Sequence, residues 1–252
     1  MDGMRDKQLI AARAMMKSSD SIVCLLGVGM DIESGLPNLW SNDTAYYLED
    51  KYGYSLEEMY SATFLNTRPA KFYEYYKELF LEKECEPNVA FTVVSELEDK
   101  GKIKGCITES ISGLARRAGI SNIVELHGNI DYNWCPKCKK KYTKQYILSQ
   151  ENVPLCNECK ATIRPGVILT GEQVRNDYMT YAANMAASAD MLLVLGTNMN
   201  DNMVKWVMNY FTGEHVLVIS KNIHFSDNRA NLVINEEVQK VLPQLIEMRG
   251  SR

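Results

Sequence analysis

Four cysteines form two closely spaced pairs, Cys135-Pro-Lys-Cys138 and Cys156-Asn-Glu-Cys159, with seventeen residues between the pairs. Each Cys-x-x-Cys turn offers two thiolates to one side of a tetrahedral ion, and this spacing is typical of a structural zinc ribbon. A redox function or a metal-free loop is the alternative. Four thiolates complete the coordination shell of Zn²⁺, so we expect the metal to hold an insertion folded and to take no part in a reaction.

A glycine turn, Gly27-Val28-Gly29, follows the apolar run 21–26 and precedes a segment that can begin a helix. A strand, a glycine turn and a helix N-terminus in this order lay nucleotide phosphates against backbone N–H groups. The third glycine of the dinucleotide motif Gly-x-Gly-x-x-Gly is absent, because Ile32 stands at its position. An ordinary turn between strand and helix is therefore the alternative to a nucleotide site.

A histidine, His127, stands in Glu-Leu-His-Gly-Asn at the carboxyl end of a predicted short strand, 123–126. Ligands bind at the carboxyl ends of strands in open parallel sheets. An imidazole that titrates near pH ~6.5 is suited to general acid–base catalysis. The alternative is a structural histidine that only makes hydrogen bonds.

Further sequence blocks occur in a recognisable order around these residues. Glu33-Ser34-Gly35-Leu36-Pro37 follows the first glycine turn, and residues 108–114 read Thr-Glu-Ser-Ile-Ser-Gly-Leu. Arg-Pro-Gly-Val-Ile at 164–168, Gly171-Glu172 and Val-Leu-Gly-Thr at 194–197 come later. With the histidine block and the cysteine pairs, they resemble the sirtuin signature. In that signature Gly-Ala-Gly-x-Ser runs into Ser-Gly-Ile-Pro-Asp-Phe-Arg, and Thr-Gln-Asn-Ile-Asp-Gly-Leu comes later. The resemblance spans nearly the whole chain.

The resemblance implies NAD-dependent removal of acyl groups from lysine, or ADP-ribosyl transfer, with NAD as cofactor and a structural Zn²⁺. It makes His127 the general base that acts on the ribose hydroxyls of NAD, after the acyl oxygen of a modified lysine has displaced nicotinamide. The peptide groove would include Val167 and Ile168. The expected partners are NAD or an ADP-ribose-like nucleotide and an acylated-lysine protein. The cofactor-binding residues that it implies are Gly27, Val28, Gly29, Ser110, Ser112, Gly196 and Thr197.

The expected cofactor pocket departs from the sirtuin pattern at several positions. Ser110 and Ser112 stand where sirtuins have an Asn and an Asp that help hold the reactive ribose and the nicotinamide pocket. A serine supplies neither a carboxylate charge nor the paired donor and acceptor of an amide. The family's Pro-Asp-Phe-Arg becomes Pro37-Asn38-Leu39-Trp40, which removes the bidentate arginine partner of the pyrophosphate. Val28 replaces alanine and Asp31 replaces serine, so the sequence predicts an added negative charge facing the anion, at a cost on the order of 1 kcal/mol.

These departures leave two classes of function open. One is an active NAD-dependent protein deacylase or ADP-ribosyltransferase. The other is a catalytically impaired or inactive sirtuin homologue that acts as a nucleotide-binding or protein-interaction module. A third hypothesis makes the lysines near the cysteines a nucleic-acid contact, although they are better explained as solvating an exposed knuckle and offsetting thiolate charge. These lysines are Lys137, Lys139, Lys140, Lys141 and Lys144.

The composition bounds the class of protein. A chain of 252 residues is long enough for one α/β domain that carries insertions. It has 28 Lys+Arg against 32 Asp+Glu, a formal charge of −4, which implies no polyanion-binding surface. The first twenty residues alternate charged and apolar positions at helical spacing, and nowhere do eighteen apolar residues run together. We therefore expect a soluble, cytoplasmic protein with no membrane partner.

The elements that must position these residues alternate between strands and helices. This alternation predicts right-handed crossovers and a Rossmann-like, doubly wound parallel sheet, with a zinc ribbon and a helical module inserted. Predicted strands lie at 21–26, 104–108, 123–126, 165–169, 191–195, 215–220 and 232–234. We expect a single sirtuin-type domain over 1–252 with a Rossmann-like core at 1–37, 84–130 and 165–252, a helical module at 38–83 and a zinc-binding insertion at 131–164.

Overall fold

The computed structural model describes residues 2–39 and 41–246. Within these ranges the strands are β1 (Ile22–Leu26), β2 (Ile103–Thr108), β3 (Ile123–Glu125), β4 (Tyr132–Trp134), β5 (Lys141–Thr143), β6 (Met191–Leu195), β7 (His215–Ile219) and β8 (Leu232–Ile234). The α-helices there are α1 (Asp2–Ser18), α2 (Val28–Glu33), α3 (Asn42–Tyr52), α4 (Leu56–Met59), α5 (Ala62–Thr67), α6 (Pro69–Tyr76), α7 (Val89–Asp99), α8 (Leu114–Arg117), α9 (Lys144–Leu148), α10 (Asn176–Ala187), α11 (Asn202–Met208) and α12 (Val238–Ile246).

Six parallel strands form the central sheet in the order β3-β2-β1-β6-β7-β8. The chain builds one half of this sheet outward from β1 to β3 and then returns to add β6 beside β1. A doubly wound sheet has its ligand crevice at the carboxyl ends of the two strands where the order reverses. The predicted fold class is therefore confirmed, and the crevice is expected above β1 and β6.

Helices cover both faces of the sheet, and this explains the unbroken apolar runs in its middle strands. All five residues of β1 and all five of β6 are buried. Cys24 and Leu26 pack into the core on one face, whereas Val23 and Leu25 pack into the core on the other. A strand that is buried on both faces has no polar positions in its pattern. This continuity made the two strands predictable from the sequence.

A second hydrophobic core joins the helical module to the cysteine-rich insertion. Phe72, Tyr75 and Tyr76 of α6 are fully buried in it, and it also contains the ligand candidates Cys135 and Cys156. The rings of Phe72 and Tyr76 stack with centroids 5.2 Å apart. The antiparallel ribbon of β4 and β5 forms the cysteine-bearing insertion. The two insertions therefore share one core.

A π-helical turn, Lys77–Leu81, continues α6 and is tied to the insertion by a lysine. The ammonium group of Lys77 is buried and donates to the carbonyl oxygens of Gln150 and of Asn152, the latter at 3.0 Å. Burial lowers the pKa of Lys77 below its usual range. Two backbone carbonyls thus replace the water that a lysine normally keeps.

The strand predicted at 165–169 is wrong, because this segment does not join the sheet. Its backbone bonds alternate between two neighbours: Ile168 N–H donates to the His127 carbonyl at 2.8 Å, and Thr170 N–H donates to the Tyr60 carbonyl at 2.9 Å. Gly166 is packed so closely that a Cβ there would lie 1.4 Å from the Tyr132 carbonyl oxygen. The segment therefore bridges the sheet loops and the helical module.

Among the helices of residues 2–39 and 41–246, none combines the length and the apolar character that crossing a membrane requires.

Candidate functional site

A cleft of about 360 Å³ lies at the carboxyl end of β1, between the sheet and the helical module. Its polar wall consists of the loops that follow β1, β2 and β3 and of the start of α11. Its apolar wall includes Leu79 and Phe80, which the π-helical turn carries into the cleft. The cleft therefore occupies the crevice that the strand order predicts.

The two glycine turns pack directly against each other, and Gly27 and Val28 of the first turn line the cleft. Gly27 N–H donates to the Leu195 carbonyl at 2.8 Å, and Gly29 N–H donates to the Gly196 carbonyl at 2.9 Å. A Cβ at Gly29 would lie 2.3 Å from the Gly196 carbonyl oxygen, and a Cβ at Gly27 would lie 2.3 Å from Thr197 Cβ. The glycines permit this close approach, which brings four of the predicted cofactor-binding residues together. Gly29 N–H is thereby engaged within the protein.

The fifth predicted residue of these turns, Val28, is the first residue of α2 and lines the cleft with its side chain 49% exposed. Gly27 is the N-cap of α2, and no side chain caps that end of the helix. The backbone N–H groups of a first helical turn are the usual partners of anions.

Asp31 lines the cleft, but it presents little of its side chain to that space. Its side chain lies on the buried face of α2 and is 5% exposed. The carboxylate accepts hydrogen bonds from Ser110 Oγ at 2.5 Å and from Ser112 Oγ at 2.8 Å. Burial raises the pKa of Asp31 to about 6, although the two hydroxyls and the Arg117 charge oppose that shift. The two serines predicted to bind the cofactor are therefore joined to the first turn through this acid.

His127 follows β3 and faces the cleft. Gly128 behind it has a φ of +80°, and a Cβ there would lie 2.1 Å from the Gly166 carbonyl oxygen, so the turn requires glycine. Burial lowers the pKa of His127 below its usual range, and the negative charge of Asp201 opposes the shift. Burial therefore favours the neutral imidazole, the form that can accept a proton.

Two acids that were not predicted as site residues, Glu109 and Asp201, stand beside this histidine. Glu109 Oε1 lies 3.7 Å from His127 Nε2. Burial raises the pKa of Glu109 to about 7, and the Asp201 charge adds to that shift. Asp201 lines the cleft while its carboxylate caps α11, accepting from Met203 N–H at 2.9 Å and from Thr197 Oγ1 at 3.0 Å. The sequence indicates only that Asp201 caps a helix, so its place beside the histidine was not predicted.

Two basic side chains, Lys83 and Arg117, also line the described part of the cleft. Arg117 Nη2 donates to the Ser112 carbonyl at 3.1 Å. Both were missed in the sequence, where they stand among other charged residues without a distinctive pattern. Trp40, which replaces the arginine of the sirtuin motif, lies outside the described residues.

The two predicted substrate-binding residues, Val167 and Ile168, lie beside the histidine in the bridging segment. Val167 pairs with Gly128 as an isolated antiparallel bridge, but its side chain is 1% exposed and belongs to the second core. Ile168 is half-buried. Glu172 holds this segment by accepting from Leu169 N–H at 2.9 Å and from Arg164. Val167 can therefore face a ligand only through its backbone.

The four predicted metal ligands, Cys135, Cys138, Cys156 and Cys159, lie together in the insertion. Their sulfur atoms are all within 4.8 Å of one another. Cys138 N–H points to the Cys135 sulfur at 3.4 Å, and Cys159 N–H points to the Cys156 sulfur at 3.5 Å. These N–H···S contacts orient the sulfurs toward one point and complement thiolate charge. The group can bind Zn²⁺ as four-sulfur sites do.

The lysines near this centre are not uniformly exposed. Lys144 is 3% exposed, with its ammonium group 3.9 Å from Glu84, and Lys140 pairs with Glu158 at 2.9 Å. The basic surface available to a polyanion is therefore smaller than the sequence implies.

Comparisons with known proteins agree on one family. The family model described as Sir2 family matches residues 27–202. A protein of Clostridium tetani named NAD-dependent protein deacetylase is 33% identical over 239 residues, which cover 94% of this chain and 97% of the relative. A protein of the same name from Clostridium acetobutylicum is 32% identical, with coverage of 93% and 96%.

Solved structures give the same result. One from a study of the structural basis of sirtuin substrate affinity superposes with a TM-score of 0.84 at 28% identity, over 95% of this chain and 98% of that one. A Sir2 complex with a p53 peptide and NAD⁺ superposes with a TM-score of 0.79 at 27% identity, with coverage of 94% and 96%.

Proposed function

We propose, from the premise that this chain belongs to the Sir2, or sirtuin, family, that it removes acyl groups from protein lysines in a reaction that consumes NAD. The observation that carries the proposal is the position of His127. The imidazole stands at the carboxyl end of β3, in a cleft that Gly27 and Val28 of the first glycine turn also line. The combination supplies a base and a nucleotide-sized crevice in one place.

The residues of the cleft fit a nucleotide. The volume of the cleft, about 360 Å³, falls within the range of roughly 300–1,000 Å³ for small-molecule sites. The side chain of Lys83 offers positive charge for phosphates, in place of the arginine absent at position 40. Ser110 and Ser112 are proposed to face the nicotinamide end. When bound, NAD supplies the activated C–N glycosidic bond that the acyl oxygen attacks.

The protein residues then hold and move one proton. His127 accepts a proton from a ribose hydroxyl, which makes that oxygen a better nucleophile toward the acyl carbon. Glu109, 3.7 Å away, is placed to stabilise the resulting imidazolium. The apolar wall with Leu79 and Phe80 excludes water and strengthens these interactions. The backbone of 166–168, next to His127, is the proposed seat of the acyl-lysine peptide.

The test is turnover of an acetyl-lysine peptide by the zinc-loaded protein with NAD, measured as nicotinamide release and as deacetylated peptide. We expect His127→Ala to lower kcat/KM by at least about 100-fold, the usual contribution of a positioned acid or base. His215→Gln is the matched control, because His215 begins β7 at the opposite end of the sheet. Equal turnover by the His127→Ala variant and the parent would end the proposal.

A second candidate is nucleotide binding without turnover. It is favoured by one observation: both serines at the nicotinamide end have hydroxyls committed to Asp31. Calorimetric binding of NAD or ADP-ribose, with no nicotinamide release for any of several acyl peptides, would support this candidate over the first.

A further inference from the structure

Two motif positions of this chain have exchanged their residue types. The sirtuin pattern has serine at position 31, in the first glycine turn, and aspartate at position 112, at the end of the second motif. This chain has Asp31 and Ser112 instead. Although 81 residues separate them, Ser112 Oγ lies 2.8 Å from Asp31 Oδ1. The acid missing from one loop is thus present on the other, at hydrogen-bond distance.

We propose that Asp31 and Ser112 are an exchanged pair, and that Asp31 is the positioning residue for the nicotinamide end of the cleft. It acts through Ser110, whose oxygen it orients as an acceptor for a primary carboxamide N–H. This inference rests on the proposed function, because it assigns that end of the cleft to a carboxamide.

The hydrogen bonds determine the direction of each hydroxyl. Each carboxylate oxygen of Asp31 accepts from one serine, Oδ2 from Ser110 at 2.5 Å and Oδ1 from Ser112 at 2.8 Å. An ionised carboxylate only accepts, and a serine has a single proton, so both protons are committed to Asp31. Ser110 Oγ also lies 3.0 Å from Ser112 Oγ and accepts from Ser112 N–H at 3.2 Å. With both hydroxyl protons on Asp31, the neighbouring hydroxyl donates nothing to Ser110, and one lone pair of Ser110 Oγ stays available.

The remaining lone pair decides what a ligand must offer. Ser110 is half-buried and lines the cleft, so its oxygen can meet a ligand there only as an acceptor. A carboxamide NH₂ has two donors and matches this requirement, whereas a carboxylate in the same place has none. The site therefore discriminates nicotinamide from nicotinate by the direction of one hydrogen bond.

The exchange also explains why one of the two positions, 31 and 112, carries an acid and the other does not. Aspartate at both positions would place two carboxylates at hydrogen-bond distance in a buried site, where like charges raise the cost of ionisation. Serine at both positions would leave buried hydroxyls without their acceptor. Arg117, which donates to the Ser112 carbonyl, supplies a nearby positive charge for a single carboxylate.

The decisive experiment is an exchange of the two residues in the full-length, zinc-loaded protein. The variants are Asp31→Ser, Ser112→Asp and the double variant, with Asp177→Asn on the surface as a control. We expect each single variant to lower the thermal midpoint of the ligand-free protein and to weaken nicotinamide binding by about tenfold or more, close to 1.4 kcal/mol. The double variant should recover the thermal midpoint of the parent and bind nicotinamide with an affinity within about threefold of the parent's. Additive losses in the double variant would overturn the inference.

The two readouts separate this inference from the proposed function. If the parent binds neither nicotinamide nor NAD, the proposed function fails, whereas the thermal midpoints still decide whether the residues are an exchanged pair. Nicotinate competing as well as nicotinamide would refute the acceptor role of Ser110.

If the single variants do not fold, Asp31→Asn takes their place, because it keeps the shape of the side chain. An amide has one acceptor oxygen, so one serine proton loses its partner. We expect the KM for NAD to rise about fivefold or more while the KM for the acyl peptide stays unchanged, a split that a general loss of structure does not produce. A parallel change in both values would contradict the positioning role.

Discussion

The stability of this protein should depend on pH through Asp31, and Asp31→Asn isolates that dependence. Burial moves the pKa of Asp31 from 3.8 to about 6 in the folded state. Between these values the folded protein binds a proton at Asp31 more readily than the unfolded chain does. The free energy of unfolding therefore falls as the pH rises, by about 3 kcal/mol in total for a shift of about two units. Asparagine does not titrate, so the variant lacks this contribution.

The measurement is urea unfolding of the parent and of Asp31→Asn at several pH values. About half of the effect, roughly 1–2 kcal/mol, is expected between about pH 5 and about pH 7.5, a range chosen to keep the cysteine centre metal-bound. The difference between parent and variant cancels titration at other groups, including Glu109, that both proteins share. The parent should lose its advantage over the variant as the pH rises. A difference that stays constant across the range would refute the assignment of a buried, titrating carboxylate.

Three further changes have expected outcomes. Gly29→Ala should cost about 1–3 kcal/mol in urea unfolding, because its Cβ would lie 2.3 Å from the Gly196 carbonyl oxygen; a neutral result would mean that the two turns are not interlocked. Removal of zinc by a chelator, or Cys156→Ser, should lower the thermal midpoint and weaken the near-UV circular dichroism of the buried tyrosines; unchanged spectra would separate the metal from the second core. The parent should show kcat/KM rising with pH near pH 7 as Glu109 ionises beside His127, and Glu109→Gln should flatten that rise; an identical profile would exclude Glu109 from the reaction.

The middle of the sheet could be predicted from the sequence because β1 and β6 are continuous apolar runs. The run at Met191–Leu195 has the bounds that the sequence predicts, since burial on both faces marks the whole length of such a strand. The half-buried edge strand Leu232–Ile234 also has its predicted bounds. The segment 165–169 has the same apolar composition but bonds to two different neighbours, and composition does not reveal partners. The family, the four-cysteine group and the sirtuin-type activity of the relatives agree with the sequence interpretation.

The cleft was less accessible to sequence reasoning because its chemistry depends on which way short elements face. Asp31 sits in a six-residue helix, where the side facing the core is set by the packing of α2 and not by periodicity. Its meeting with Ser112 depends on the alignment of two loops from adjacent strands. Asp201 is recognisable in the sequence as the N-cap of α11, but the sequence does not show that its side chain also lines the cleft. The roles assigned to the individual site residues and the cytoplasmic location stay predictions.

The buried ammonium of Lys77 connects two parts of the molecule that sequence motifs treat as separate. It fastens the loop 150–152 of the cysteine-bearing insertion to the turn that carries Leu79 and Phe80 into the cleft. A ligand that packs against that turn and a metal ion held by the cysteines would therefore contact segments that Lys77 fastens together. Oxidants that attack the zinc thiolates would loosen a wall of the cleft without touching a single residue in it.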